Sequence, residues 1–210
     1  MKRIFKLYTM AFAISIFSAL PRAHALLEAR GFAGFAFSAS NSMNSRLANS
    51  GITQVFATGM YGVDAVLRIP MTGLGFGLRY DWQGIKVDAT SAGFPGNEFE
   101  VSSRRTAVVG SYRFVDRVGY VGLIGTYGIT HQPSVRIKES NVVTNYDSTG
   151  KATSGTIGVE GGVKLGGLML GGEAGYQDYL VRELGGPNGP ANFDLNFAGF
   201  YGVLHFGVGF

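Results

Sequence analysis

The amino-acid sequence predicts an all-β protein: an antiparallel, up-and-down, eight-stranded transmembrane β-barrel. Three observations carry the prediction. Apolar and polar side chains alternate with a period of two through eight segments. Short turns and long polar loops join those segments in alternation. No segment sustains a membrane-spanning helix. The longest uncharged run, residues 118–135, carries Gly119, Gly122, Gly125 and Gly128, and each interior glycine costs a helix roughly 1 kcal/mol relative to alanine.

Residues 1–25 read as a signal peptide. They combine a cationic start (Lys2, Arg3, Lys6), an apolar run over 7–20 too short to span a bilayer, Pro21 as breaker, and Ala23-His24-Ala25 as a small-x-small cleavage site. The barrel is then expected over 26–210, with no further domain after the last strand. The first segment, 29–39, puts Ala33, Phe35 and Phe37 on one face, and Phe32 breaks the phase, which predicts a bulge. In the second, Val55, Ala57, Gly59, Tyr61, Val63, Ala65, Leu67 and Ile69 oppose Thr58, Asp64 and Arg68. In the third, Leu74, Phe76, Leu78, Tyr80 and Trp82 oppose Arg79 and Asp81. The fourth sets Val108, Gly110, Tyr112 and Phe114 against Arg105, Ser111 and Arg113. The fifth sets Val121, Leu123, Gly125, Tyr127 and Ile129 against Gly122, Thr126, Gly128 and Thr130. In the sixth, Ile157, Val159, Gly161, Val163 and Leu165 oppose Thr156, Gly158, Glu160 and Lys164. In the seventh, Leu168, Leu170, Gly172, Ala174 and Tyr176 oppose Gly171, Glu173, Gly175 and Gln177. The eighth sets Phe200, Gly202, Leu204, Phe206, Val208 and Phe210 against Tyr201, Val203 and His205.

Each segment reaches the roughly 9–11 residues that a tilted strand needs to cross a bilayer. Short connections fall at 70–72, 115–117 and 166–167, and long polar ones at 40–51, 83–102, 131–153 and 181–192. Both termini then lie at the short-turn end. In lipid every backbone amide must pair within the protein, so such strands close into a barrel with the apolar face outward. Val163 is expected to face lipid near the bilayer midplane, where an arginine costs about 2–4 kcal/mol.

Composition narrows the function classes. Charged residues are only 15%, glycines number 33 and cysteine is absent, while mean hydropathy is +0.16. These values exclude a disordered chain, a disulfide scaffold and thiolate chemistry. The formal charge of +4 suggests nucleic acid until the charges are located. Four of the 18 Lys and Arg residues (Lys2, Arg3, Lys6, Arg22) lie in the leader, which has no Asp or Glu, leaving 14 cations against 14 acids. No basic patch remains for nucleic acid. The glycines over 73–77 lie in a strand without the Lys-Ser/Thr of a phosphate loop, and no His or carboxylates stand at metal-ligand spacing. No cofactor or metal is expected.

On the leader, the alternating segments, the sorted connections and the final alternation Phe206, Val208, Phe210, the chain resembles the small eight-stranded outer-membrane β-barrels of Gram-negative bacteria, of the OmpA transmembrane-domain or OmpX kind. The resemblance covers 26–210. It implies a monomer in the cell outer membrane with both termini in the periplasm, in contact with outer-membrane lipids and lipopolysaccharide. It also implies that the barrel-assembly machinery reads the C-terminal strand during insertion. The stricter polar-x-Gly-x-x-aromatic-x-aromatic form of that signal is not matched.

The expected role is non-enzymatic, structural or surface-interacting. The inward faces carry Arg30, Asp64, Arg68, Arg79, Asp81, Arg105, Arg113, Glu160, Lys164 and Glu173, six cations and four acids. Buried charges need partners, and an eight-stranded interior is just wide enough for side chains. A first alternative is a narrow gated pore in which Glu160, Lys164 and Glu173 exchange partners. A second is a lipid-modifying enzyme, which needs a histidine with a serine and an acid. His205 points inward, and Pro133 stands two residues after His131, where deacylating barrels carry serine. A soluble lipocalin-like barrel would carry Gly-x-Trp near its start, whereas the only tryptophan is Trp82. Residues 131–153 continue the alternation, so the fifth and sixth segments are expected to extend as a hairpin, an edge open to an extracellular partner. Arg104, Arg105, Arg136, Lys138 and Arg182 near the outer rim are candidates for lipopolysaccharide phosphates, among acidic neighbours Glu98, Glu100, Glu139 and Glu183.

Overall fold

The computed structural model describes residues 27–38, 41–49, 51–52, 55–88, 96–139, 141–187, 189–191 and 193–209. The expected signal peptide and Phe210 lie outside the described residues. The elements in chain order are β1 (Leu27–Phe37), α1 (Asn41–Asn49), β2 (Ala57–Arg68), β3 (Leu74–Asp88), β4 (Glu98–Asp116), β5 (Gly119–Glu139), β6 (Val142–Tyr146), β7 (Ser148–Leu165), β8 (Leu168–Gly186), β9 (Gly189–Pro190), β10 (Leu195–Asn196) and β11 (Gly199–Gly209). Among the described residues no helix is long and apolar enough to cross a membrane.

Eight strands form a closed antiparallel ring. β1 pairs with β2, and the ladder runs through β3, β4, β5, β7, β8 and β11 back to β1. Closure removes both sheet edges, so backbone amides along the wall find partners within it. The turns between β2 and β3 and between β7 and β8 are tight, with positive φ at Met71 (66°), Gly73 (73°), Gly166 (57°) and Gly167 (96°). Glu28 pairs with Gly209, and Gly209 N–H donates to Gly167 O, so both described chain ends lie at this short-turn end.

The two faces sort as the alternation predicts. Val63, Leu78, Leu123, Val159 and Leu204 project outward and are exposed, while Arg79, Arg105, Glu160 and Glu173 on the alternate positions are buried. On β7 the outward apolar row runs from Leu165 to Ile157. At about 3.3 Å per residue and a tilt near 40°, the eight steps of that row rise roughly 20 Å, most of the ~25 Å band of a membrane barrel. Val163 is only two residues from the end of β7 and pairs with Gly119 and Leu170. It sits two residues to the short-turn side of the row's middle, Gly161, as Val159 sits two residues to the long-loop side.

The wall also rises well beyond that band. β4, β5, β7 and β8 have 19, 21, 18 and 19 residues, against 11 in β1 and in β11. Much of the expected loops 83–102, 131–153 and 181–192 is therefore strand. β5 and β6 pair from Val135↔Tyr146 to Glu139↔Val142, the expected hairpin.

Two local departures have physical causes. β1 keeps continuous register with both neighbours, so no bulge forms at Phe32. Its ring points into the lumen beneath the Arg79 guanidinium, 4.6 Å from the ring centroid, a cation–π contact. Gly62 leaves the space: a Cβ there would lie 2.7 Å from Phe32 Cζ. Bulges lie instead in the β4–β5 ladder: at Phe114 of β4, between Arg113↔Gly122 and Val115↔Val121, and in β5, where Thr106 pairs with Thr130 and Ala107 with Gly128, leaving Ile129 unpaired. The extra residue reverses the phase. Thr130, expected inward, is exposed, and beyond it Pro133, Val135 and Ile137 face inside.

Candidate functional site

The structure places nine of the ten predicted lumen residues in the buried interior, and Lys164 at its short-turn mouth with a side chain 23% exposed. Glu160 gathers three arginines. It accepts from Arg30 at 2.5 Å, Arg68 at 3.0 Å and Arg113 at 2.9 Å. Arg30 also bonds Asp64 at 2.7 Å, and Arg79 joins Asp64 at 2.9 Å to Glu173 at 2.7 Å. Tyr201 Oη donates to Glu173 at 2.6 Å. Glu160 and Glu173 stand directly opposite on β7 and β8. Like charges in that position repel, and an arginine on each offsets this, Arg30 on Glu160 and Arg79 on Glu173.

Glu28 lies one residue before the predicted first segment, 29–39. It is fully buried and receives Arg68 at 3.1 Å, Arg113 at 2.6 Å and Lys164 at 3.4 Å. Asp116, at the end of β4, receives Lys164 at 2.5 Å and Arg113 at 3.3 Å. Among the described residues, the lumen and its short-turn mouth thus join six cations (Arg30, Arg68, Arg79, Arg105, Arg113, Lys164) and six acids (Glu28, Asp64, Asp81, Asp116, Glu160, Glu173), net zero, each in an ion pair. Lys164 meets neither Glu160 nor Glu173, so the partner exchange imagined for a gate has no contact to start from. Tyr120 fills the remaining space under Arg113, 4.0 Å from its ring centroid, with its hydroxyl 3.4 Å from both ring nitrogens of His205. Gly162 lies against that hydroxyl, where a Cβ would come within 2.7 Å, so this inner wall needs glycine.

Toward the long-loop end the polarity changes. Arg105 bonds Asp81 at 2.7 Å and reaches Ser154 Oγ at 3.4 Å. Ser154 Oγ is also 2.8 Å from His131 Nε2. This pair spans the stretch where the β5–β7 ladder has ended, at Tyr127↔Gly155, and the β5–β6 ladder has not begun. Ser154 is buried, and Arg105 occupies its remaining side, so the pair ties two strands together. Above it Ser103 bonds Tyr179, and Gln177 donates to Gln83 at 3.2 Å and to Phe197 O.

Above these residues the interior becomes apolar. Leu47 of α1, Ile52, Val55, Phe99, Val101, Val135, Ile137, Tyr179, Val181, Leu184, Phe193, Leu195 and Phe197 pack as one buried cluster. Val55, expected on the lipid face of the second strand, belongs to this cap instead. Asn44 anchors the helix with two bonds to Val55, donating to its O at 3.2 Å and accepting from its N–H at 2.9 Å. Outside the cap, Lys86 and Lys138 pair with Glu98 at 3.1 and 3.4 Å. The Lys86 ammonium, chiefly by its hydrogen bond, holds the Glu98 carboxyl below its ordinary range, and Lys138 adds to this. Of the rim cations expected to face phosphates, Arg105 is inside and Lys138 is paired.

No protein-family model matches the chain, and no curated protein sequence matches it. Among solved structures, Neisserial surface protein A (NspA) is similar, with a TM-score of 0.45 and 16% identical residues over 90% of this chain and 100% of that one. Nothing about the lumen or the cap follows from so distant a likeness.

Proposed function

We propose that this chain is an integral outer-membrane barrel with a non-enzymatic, structural or surface-interacting role. Its leader 1–25 is removed on export, its termini lie in the periplasm, and its long-loop end stands at the cell surface. The observation that carries this reading is the inversion of polarity across one closed wall. Val159 (54% exposed) and Leu204 (77%) face out, while Glu160 (1%) and His205 (4%) beside them face in. Only an apolar surround makes that arrangement favourable. The neutral ion network below and the apolar cap above support a filled interior over the pore alternative. The test is reconstitution of the purified mature protein. A heat-dependent mobility shift, protease protection of the wall, and no ion conductance across a planar bilayer are expected. Stability as a detergent-free soluble protein would refute the membrane reading, and steady conductance would refute the filled interior. N-terminal sequencing should begin at Leu26, and retention of Met1 would count against the leader.

A further inference from the structure

We propose that the outer wall carries a binding site for the phosphate of a membrane-lipid headgroup, centred on Arg104. This rests on the outer-membrane reading above. Arg104 projects outward from β4, is exposed, and forms no ion pair with a described residue. It lies in one cross-strand row with Trp82 on one side and Gln132 on the other. Opposed positions in such a row stand about 5 Å apart. Trp82 in turn stacks on Tyr61, with ring centroids 4.8 Å apart. An aromatic pair at the top of the apolar band lies at headgroup depth, so Arg104 meets the plane of lipid phosphates.

The surroundings are those of an anion site. Ser102 and Thr106 flank Arg104 along β4, and their cross-strand partners are Ser134 and Thr130. These four hydroxyls and the Gln132 amide are all hydrogen-bond donors, and no acid stands among them. The bulge at Ile129 creates this ring, since without it Thr130, Gln132 and Ser134 would have turned into the lumen. Among the other rim cations, Lys86 and Lys138 pair with Glu98 and Lys151 with Glu183, while Arg182 stands opposite Lys151, another cation, rather than among neutral donors. Arg136 stands opposite Glu100. A guanidinium fork with neutral donors beside it suits a phosphate, which accepts several bonds at once.

The experiment uses the reconstituted full mature protein and native mass spectrometry. The probes are a phosphorylated lipid A glycolipid, the same glycolipid without phosphate, and inorganic phosphate. Wild type should retain the phosphorylated form about tenfold better than the dephosphorylated one, the ratio one charge-assisted hydrogen bond supports. Arg104→Gln should abolish that preference, Arg104→Lys should keep part of it, and Lys151→Gln should leave it intact. An unchanged preference in Arg104→Gln, with the heat-dependent mobility shift preserved, would overturn this site alone. Absence of that shift in the wild type would overturn the barrel reading instead. Displacement of the glycolipid by millimolar inorganic phosphate would overturn the lipid as the source of the anion.

Discussion

Replacing Glu160 by glutamine is the most informative single change to the lumen. The substitution keeps the volume and an acceptor oxygen but removes the charge on which Arg30, Arg68 and Arg113 converge at 2.5, 3.0 and 2.9 Å. Removing one member of a buried ion cluster typically costs about 3–5 kcal/mol. Two features set the value here. Each arginine keeps another acid, Arg30 with Asp64 and the other two with Glu28. The glutamine oxygen also still accepts, at roughly half the strength of a charge-assisted bond. The loss should therefore fall near the lower bound, about 3 kcal/mol. The excess positive charge should be relieved by removing Arg68, so Glu160→Gln with Arg68→Met should recover at least about 1 kcal/mol over the additive sum, as coupled neighbours do. Reversible urea unfolding in lipid vesicles measures both. A loss for Glu160→Gln below about 1 kcal/mol, or strict additivity in the double variant, would refute the ion-network account.

Other consequences can be checked with similar means. Val159→Arg and Val163→Arg, each two residues from Gly161 at the middle of the outward row, should both cost about 2–4 kcal/mol in vesicles. A cost below about 1 kcal/mol at either position would place the band elsewhere. Phe197, fully buried against Tyr179 at a ring distance of 5.4 Å, holds the cap. Phe197→Ala should cost the cap about 3–5 kcal/mol, read as faster hydrogen exchange in β10 with β1 unchanged. Uniform acceleration in both strands would mean that cap and barrel open as one. Deleting Phe210 should slow membrane insertion in cells more than changing Tyr201 does, because the sequence alternation Phe206, Val208, Phe210 is the C-terminal pattern that the resemblance implies is read. Accumulation of the truncated protein at wild-type level would contradict that.

The period of two was enough to find the eight barrel strands and ten charged residues of the lumen, because each inward polar side chain sits between outward apolar ones. Glu28 carried the same signal, two residues before Arg30, and was lost only by starting the strand at Ala29. Phe32 misled because alternation alone equates aromatic with outward, whereas an arginine face and the missing Cβ of Gly62 accept a ring inside. The bulge at Ile129 was present as a phase change between Gly128 and Val135, but a single inserted residue is invisible until the partner strand is known. The cap was the least legible part. Leu47, Ile52, Phe193 and Phe197 lie in polar segments with no period, and only the ring brings them together. The bond between His131 and Ser154 joins residues 23 apart in sequence across an interrupted ladder, beyond any local motif.

The central claim is that one wall separates lipid outside from an ion network inside. The chain has no native cysteine, so single cysteines labelled with a fluorophore report individual positions without background. Val159→Cys and Leu204→Cys should take the label and be quenched by brominated lipid acyl chains while resisting aqueous iodide, whereas Thr156→Cys and Thr126→Cys, inside the packed lumen, should stay unlabelled in the folded protein. Ready labelling and lipid quenching at the two threonine positions, with Val159 and Leu204 open to iodide, would contradict the account.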